Sequence, residues 1–174
     1  LRGLHNAENL MAALGVGFAW GLDFARMRGP LCAYKALPHR CELVRALDGV
    51  DYVNDSKATN LDSMEKALAG ETRTVVLIAG GKDKGFEFGS VADLVAQKCR
   101  CAVLLGEMAD RIERLWSTHL TCINAGRSLE RAVHVARSHA RSGDVVLFSP
   151  GTSSFDMFRN YADRGNQFRA LVQS

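Results

Sequence analysis

The chain has 174 residues, of which 47% are hydrophobic and 24% charged, the composition of one globular domain with a buried core. Its net charge of +3 is scattered without a run of five like charges, so we expect no nucleic-acid partner. No apolar stretch reaches the ~18 residues of a membrane span, and no secretion signal opens the chain, so we expect no membrane partner. The five cysteines lack paired CxxC spacing, which predicts reduced thiols, a cytoplasmic location and no metal site.

The first element in chain order is a predicted helix over residues 5–20, whose glycine and alanine residues suit close packing. Gly29-Pro30 then interrupts the chain. We therefore predict a boundary there, with residues 1–30 as the tail of a preceding domain and residues 31–174 as one domain. Because the chain starts at Leu1, without an initiator methionine and inside a helix-entry motif, we expect it to be cut from a longer polypeptide.

Short apolar runs rich in β-branched residues predict the strands that follow. Several runs are continuous, as in strands buried on both faces of a parallel sheet. They are Val50–Asn54, Thr74–Ala79, Cys101–Leu105, Thr121–Asn124 and Asp144–Ser149. Helical spacing follows at Leu61–Ala69, Val91–Lys98, Met108–Thr118 and Leu129–Ser142. A closing helix is predicted over Phe155–Val172, with a break near Gly165. Because strands and helices alternate, the fold class is α/β.

Three polar loops follow predicted strands, at Asn54–Asn60, Gly80–Gly85 and Ser149–Ser154. Open parallel sheets bind ligands beyond the carboxyl ends of their strands, so we expect the loops to form one shared site. In the first loop, Lys57 and the backbone N–H groups at a helix start suit an anion. The alternative is that Asp55 or Thr59 simply caps the helix while Lys57 is solvated.

The other two loops carry glycine, lysine and hydroxyl groups. The glycine pair before Lys82 and Lys84 allows a ligand to approach closely, but an ordinary glycine turn is the alternative, since no GxxxxGK[ST] phosphate loop occurs. The loop Ser149–Ser154 suits a carboxylate or caps the next helix, and it lacks the GxSxG elbow of a serine hydrolase. Arg40 follows Pro38 and offers a fork for phosphate or carboxylate, or else a partner for a nearby acid such as Glu42.

Five segments together resemble the Mur ligase family, and the resemblance runs from residue 5 to residue 165. They are His5–Asn9, Leu37–Glu42, Asn54–Asn60, Gly80–Gly85 and Ser149–Asp156. The second and third segments resemble in particular the members that add D-glutamate. The resemblance implies a Rossmann-like, three-layer fold with a mostly parallel sheet of about five or six strands flanked by helices. It also implies that residues 1–30 are the last helix of a central ATPase domain, and that residues 31–174 are the carboxyl-terminal domain that binds the incoming amino acid.

The resemblance also assigns roles to individual residues. Asn6 and Asn9 would contact the adenine of the nucleotide, and Asp55 would contact its ribose. Arg40 and Lys57, the catalytic pair, would contact its phosphates. D-glutamate would be bound by Thr59, Lys84, Ser154, the backbone of Phe155 and the neighbourhood of Tyr161. Lys84 is preferred to Lys82 for this contact.

The reaction that the resemblance implies is a step of peptidoglycan synthesis. It adds D-glutamate to UDP-N-acetylmuramoyl-L-alanine through an acyl phosphate, with ATP and Mg²⁺ held mainly by the central domain. The chain would act with the missing amino-terminal and central domains of the same polypeptide. Alone, we expect it to be an inactive monomer without a tightly bound cofactor.

Two alternatives to this reading stay open. The chain could be a stand-alone module that binds an amino acid or a nucleotide, or part of a ligase of the same family for another amino acid. One departure from the family pattern also stands out. The loop Ser149–Ser154 reads SPGTSS where many such ligases have alanine and cysteine, so we expect Thr152 to alter the local hydrogen bonds.

Overall fold

The computed structural model describes residues 4–34 and 37–174, with side chains from residue 7 onward. The chain divides into two compact units, Leu1–Leu37 and Pro38–Ser174. The first unit contains the helices α1 (Leu4–Ala19) and α2 (Phe24–Ala33). Gly17 lies against the sulfur of Met27 with no room for a Cβ, so the two helices pack together where α1 lacks a side chain.

The helix α2 contains both Gly29 and Pro30, so the prediction that this pair interrupts the chain is wrong. Asp23 caps the helix by accepting a hydrogen bond from the Arg26 N–H at 2.8 Å. Pro30 stands in the last turn, where its fixed φ is already helical. The proline therefore removes one backbone hydrogen bond without ending the helix.

The second unit is built on a six-stranded sheet in the order β1-β2-β6-β3-β4-β5. Its strands are β1 (Glu42–Leu47), β2 (Val50–Asn54), β3 (Val75–Gly80), β4 (Cys99–Leu105), β5 (Thr121–Asn124) and β6 (Val145–Phe148). The strand β1 is antiparallel to β2, and all the other neighbours are parallel. The predicted α/β class with a mostly parallel sheet is confirmed.

The edge strand β1 was not predicted from the sequence. Charged residues interrupt its apolar pattern, its burial is irregular, and its register with β2 shifts between Leu43 and Arg45. A tight turn with positive φ at Asp48 and Gly49 connects it to β2. An edge strand has only one covered side, so its sequence carries a weaker signal than that of a buried strand.

Helices cover both faces of the sheet and make the fold three-layered. On one face lie α3 (Leu61–Ala69), a short 3-10 turn (Phe88–Val91), α4 (Ala92–Lys98) and α5 (Ala109–Trp116). On the other face lie α6 (Leu129–His139) and α7 (Tyr161–Gln173). Successive residues of β3 point to opposite faces, so Leu77 belongs to the first core and Ile78 to the second.

The closing helix differs from the prediction at two points. It begins at Tyr161, where Asn160 accepts a hydrogen bond from the Asp163 N–H at 2.8 Å, and residues 155–160 form turns. It also continues through Gly165 without a break. A Cβ at Gly165 would collide with the ring of His39, so this glycine allows close packing of α7.

Candidate functional site

Three loops leave the sheet at the same edge. The strands β2, β6 and β3 are neighbours and run parallel, so their carboxyl ends meet, and the loops that follow them are residues 55–60, 149–160 and 81–87. Backbone hydrogen bonds join the loops at Asp55 N to Phe148 O (2.8 Å), Gly80 N to Pro150 O (3.0 Å) and Lys82 N to Ser153 O (2.9 Å). The structure thus brings together the three loops that the sequence singled out.

Asp55 is a buried acid at the end of β2. Its carboxylate accepts hydrogen bonds from the Ser149 hydroxyl at 2.7 Å and from the Cys41 N–H at 3.2 Å. Burial raises the pKa of Asp55 to about 6, although these two hydrogen bonds and the charge of Arg40 act in the opposite direction. The side chain is therefore a fixed acceptor that joins the start of this unit to the loop after β6.

Asn54 and His39 form a buried network beside this acid. The Asn54 amide donates to the Gly165 carbonyl at 3.0 Å and lies 2.9 Å from Nδ1 of His39. Burial, followed by the charge of Arg169, lowers the pKa of His39, while Glu42 opposes this shift. His39 has a φ of 64°, a left-handed conformation uncommon for a residue with a side chain. The network fixes the segment that carries Arg40.

Arg40 and Lys57 are the two cations predicted to face the phosphates. Arg40 is partly buried, and its guanidinium has no hydrogen bond or ion pair with any residue in the described ranges. The Lys57 ammonium lies 5.1 Å from the ring centre of Tyr161, and the Lys57 N–H donates to the His39 carbonyl at 3.0 Å. Thr59 follows on the same loop and is half-buried. Both cations are thus available to an anionic ligand.

The two lysines of the glycine turn are exposed. Lys84 lies 5.4 Å from the ring centre of Phe86, and within the described part of the chain neither Lys82 nor Lys84 forms an ion pair. Gly81, with a φ of 143°, passes so close to the Ser153 carbonyl that a Cβ would collide with it. The glycine pair therefore serves close contact between two loops of the protein, in addition to any approach by a ligand.

The first half of the loop after β6, residues 149–154, is buried. Ser154 is buried and its carbonyl accepts hydrogen bonds from the N–H groups of Met157 and Phe158, whereas the side chain of Phe155 is 67% exposed. Thr152 is fully buried and its hydroxyl donates to the Lys82 carbonyl at 2.6 Å. That Thr152 alters the local hydrogen bonds relative to other members of the family stays a prediction.

Arg164 is a buried cation that was not among the predicted site residues. From α7 it donates to the Ser56 hydroxyl at 3.0 Å, the Ser56 carbonyl at 2.8 Å and the Thr152 carbonyl at 3.2 Å. Burial lowers its pKa to about 10, against the opposing charges of Asp156 and Asp55. Arg164 thereby ties the loop after β2 to the loop after β6. In the sequence, Arg164 lies near the end of the stretch that the resemblance covers and three residues after Tyr161, but no role was assigned to Arg164 itself.

The two asparagines predicted to face adenine lie in the first unit. Asn9 is exposed on α1, and the side chain of Asn6 lies outside the described residues. The predicted role of both asparagines at adenine stays a prediction.

A separate groove of about 650 Å³ lies between the start of α6, the loop after β6 and α7. Its lining includes Arg127, Glu130 and Gln167 together with apolar side chains, and no predicted site residue contributes to it. Within residues 4–34 and 37–174 there is no group of three or more His, Cys, Asp or Glu side chains placed to bind a metal ion. In the same residues no helix has the length and hydropathy needed to cross a membrane.

The loops beyond the carboxyl ends of the parallel strands are rich in cations, hydroxyl groups and glycine. This arrangement is typical of an α/β domain that binds a ligand at that edge of its sheet. A family model described as Mur ligase, glutamate ligase domain, matches residues 39–152 of the chain. The chain therefore belongs to the Mur ligase family.

The curated relatives include proteins named UDP-N-acetylmuramoylalanine–D-glutamate ligase. The one from Marinobacter nauticus is 49% identical over 99% of this chain and 39% of its own length. The one from Geobacter metallireducens is 47% identical over 100% of this chain and 38% of its own length. The chain thus spans about two fifths of the length of these relatives.

Solved structures show the same fold at low sequence identity. Mycobacterium tuberculosis folylpolyglutamate synthase, complexed with ADP and AMPPCP, matches 100% of this chain and 41% of its own with a TM-score of 0.73 and 16% identity. A pseudomurein peptide ligase type C from Methanothermus fervidus matches 98% of this chain and 36% of its own with a TM-score of 0.69 and 17% identity. These matches support the fold alone.

Proposed function

We propose that the chain is the carboxyl-terminal, amino-acid-binding part of an ATP-dependent ligase of peptidoglycan synthesis. The whole enzyme joins D-glutamate to the carboxylate of UDP-N-acetylmuramoyl-L-alanine. The observation that carries the proposal is the convergence of three loops at one edge of the sheet, bearing Lys57, Thr59, Lys84 and Ser154. Relatives named for this reaction match nearly the whole chain, which supports the choice of substrate.

The nucleotide side of the site is the loop after β2 with the segment before β1. Arg40 and Lys57 would face the phosphates, where an acyl-phosphate intermediate and a departing phosphate gather negative charge. Asp55 would accept a hydrogen bond from the ribose in addition to those it already accepts from Ser149 and Cys41. The open cations support the proposed phosphate contacts.

The amino-acid side is formed by the other two loops with Thr59. Lys84, Thr59 and Ser154 would hold the two carboxylates, with the backbone of Phe155 and the neighbourhood of Tyr161 contributing. Binding both carboxylates would aim the amine at the acyl phosphate, so the contribution to rate is one of orientation. Proton transfer is not assigned to these residues.

The remaining machinery would come from other domains of the same polypeptide. We assign residues 1–30 to the last helix of a central ATPase domain, and the exposed apolar side chains of the first unit support this. Trp20 is 83% exposed and Val16 is 58% exposed, and such side chains usually mark a contact surface. ATP and Mg²⁺ would be held mainly by that domain.

The proposed working form is a monomer in the cytoplasm, where ATP and the UDP-linked precursor are found. Its partners would be these small molecules and the other domains of its own polypeptide. Nucleic acid and membrane are not among the proposed partners.

The test is a kinetic assay of the full-length polypeptide. We expect ADP release that requires both UDP-N-acetylmuramoyl-L-alanine and D-glutamate. L-glutamate, L-lysine or diaminopimelate in place of D-glutamate should support little release. Absence of D-glutamate-dependent release at full length would overturn the proposal, and a preference for another amino acid would assign a different ligase.

Lysine variants sharpen this test at the amino-acid side. Lys84→Ala should raise KM for D-glutamate by about 10- to 100-fold, the effect of losing a charge-assisted hydrogen bond. Lys66→Ala removes another exposed lysine, which is paired with Asp62 on α3, and should leave KM unchanged. If Lys82→Ala raises KM and Lys84→Ala does not, the two lysines exchange roles.

A further inference from the structure

Two hydrogen bonds join the turn that carries both lysines to the loop after β6. Both are made by the backbone of Lys82. The Lys82 N–H donates to the Ser153 carbonyl at 2.9 Å, and the Lys82 carbonyl accepts from the Thr152 hydroxyl at 2.6 Å. Beyond Lys82 the turn is mostly exposed, and its ion pair between Asp83 and Arg111, at 3.3 Å, is half-exposed at both ends. Exposed ion pairs of this kind contribute little stability, so this one does little to hold the turn in place.

Thr152 is itself fixed by its burial and by contacts with Gly81 and Arg164. Its side chain is fully buried, its methyl group packs over Gly81, and its carbonyl accepts a hydrogen bond from Arg164 at 3.2 Å. A continuous line of contacts therefore runs from α7 through Arg164 and Thr152 to Lys82. Ser154 lies two residues beyond Thr152 on the same loop.

We propose that Thr152 is a positioning residue, whose hydroxyl sets the lysine-bearing turn at a fixed distance from Ser154. This inference rests on the proposed function, in which a lysine of the turn and Ser154 hold one dicarboxylate. A ligand that bridges two loops binds well only when both loops are already in place, since ordering a loose turn consumes binding free energy. The Thr152 hydroxyl is the group that holds the Lys82 carbonyl, so its loss leaves this partly buried acceptor without that hydrogen bond.

The experiment compares three variants of the full-length polypeptide. Thr152→Val keeps the shape and removes the hydroxyl, and Thr152→Ser keeps the hydroxyl. Thr72→Val removes an exposed threonine hydroxyl from the loop before β3, at the opposite edge of the sheet. Each variant is followed by amide hydrogen exchange in residues 80–86 and by KM and kcat for D-glutamate.

We expect Thr152→Val to speed exchange in residues 80–86 and to raise KM for D-glutamate about 10-fold, with kcat within about 3-fold of the parent. Thr152→Ser should restore both readouts, and Thr72→Val should change neither. If Thr152→Val speeds exchange but leaves KM unchanged, the positioning role is wrong. If Thr152→Val leaves exchange unchanged, the hydroxyl does not hold the turn in place. If the parent enzyme shows no D-glutamate-dependent activity, the proposed function fails, and the exchange arm alone decides whether Thr152 fastens the turn.

Discussion

At the scale of single residues, Asp55 is an acid that the fold keeps in an unfavourable environment. Burial raises its pKa from 3.8 to about 6 despite two hydrogen bonds and a nearby arginine. A folded-state pKa above the unfolded value means that the folded chain binds the proton more tightly. Its stability contribution is therefore largest below the unfolded pKa and is lost as the pH rises from about 4 to about 6. A buried acid with such a desolvation cost is expected where function requires the carboxylate.

Replacement of Asp55 by asparagine tests this argument. Asn keeps the shape and can still accept from the Cys41 N–H, but it carries no charge to desolvate. We expect Asp55→Asn to match the parent chain in free energy of unfolding at pH 4 and to exceed it at pH 7 by roughly 1–3 kcal/mol. Urea denaturation at both pH values measures the difference.

The matched control is Asp62→Asn, because Asp62 is an exposed acid on α3. Its effect should stay within about 0.5 kcal/mol at both pH values. A difference between parent and Asp55→Asn that does not change with pH would show that the carboxylate is not desolvated as described.

The candidate site residues that the sequence singled out lie within short segments, so local sequence patterns were enough to propose them. Asp55, Lys57 and Thr59 share one loop, where strand and helix patterns meet. The partners that fix them are far away in sequence: Ser149 is 94 residues from Asp55, and Arg164 is 108 residues from Ser56. No local pattern encodes such pairings, so the buried network had to come from the structure.

At the scale of elements, buried strands were predicted well and boundaries near the site less well. The strand β2 begins and ends where its apolar run does, because burial on both faces demands continuous apolar sequence. The half-exposed edge strand β5 also has its predicted bounds. The turns at residues 155–160 carry aromatic residues at nearly helical spacing, so the sequence placed them in the closing helix. Hydrogen bonds to the Ser154 carbonyl hold these turns instead.

The start of α7 gives an element-scale prediction. Asn160 caps the helix with a hydrogen bond from the Asp163 N–H, and Tyr161 and Arg164 lie in its first turn. Asn160→Ala should lower the free energy of unfolding by about 1 kcal/mol, the usual value of a side-chain cap. Asn166→Ala, at an exposed position inside the same helix, should be close to neutral, because alanine favours the helix interior. Equal losses for the two variants, measured by thermal unfolding, would argue against a specific cap.

At the scale of the whole molecule, the order of the strands decides where the site lies. The strand β6 comes last in the sequence but inserts between β2 and β3. This insertion brings the serine-rich loop between the loop of Lys57 and the loop of the two lysines. The sequence predicts the strands and the loops, but it does not predict the pairing, since β strands choose partners by contacts distant along the chain.

The two compact units differ in how completely they bury their apolar side chains. The second unit has two closed cores, one on each face of the sheet, and it carries the proposed amino-acid side of the site. The first unit leaves Trp20, Phe18 and Phe24 more than half exposed. Under the proposed function, the amino-acid side would be formed within this chain, whereas the machinery that we assign to other domains would not.

This difference leads to a prediction for the 174-residue chain by itself. We expect no ADP release from it, but weak binding of D-glutamate, because half of the closed site would be missing and binding must also order the lysine turn. Titration with D-glutamate should shift the backbone amide signals of Thr59, Lys84 and Ser154 in an NMR spectrum at millimolar ligand. L-glutamate should shift them less, and Lys84→Ala should weaken the response while leaving the rest of the spectrum intact. Shifts that cluster in the groove between α6 and α7 would instead place the amino acid on the other side of the loop after β6.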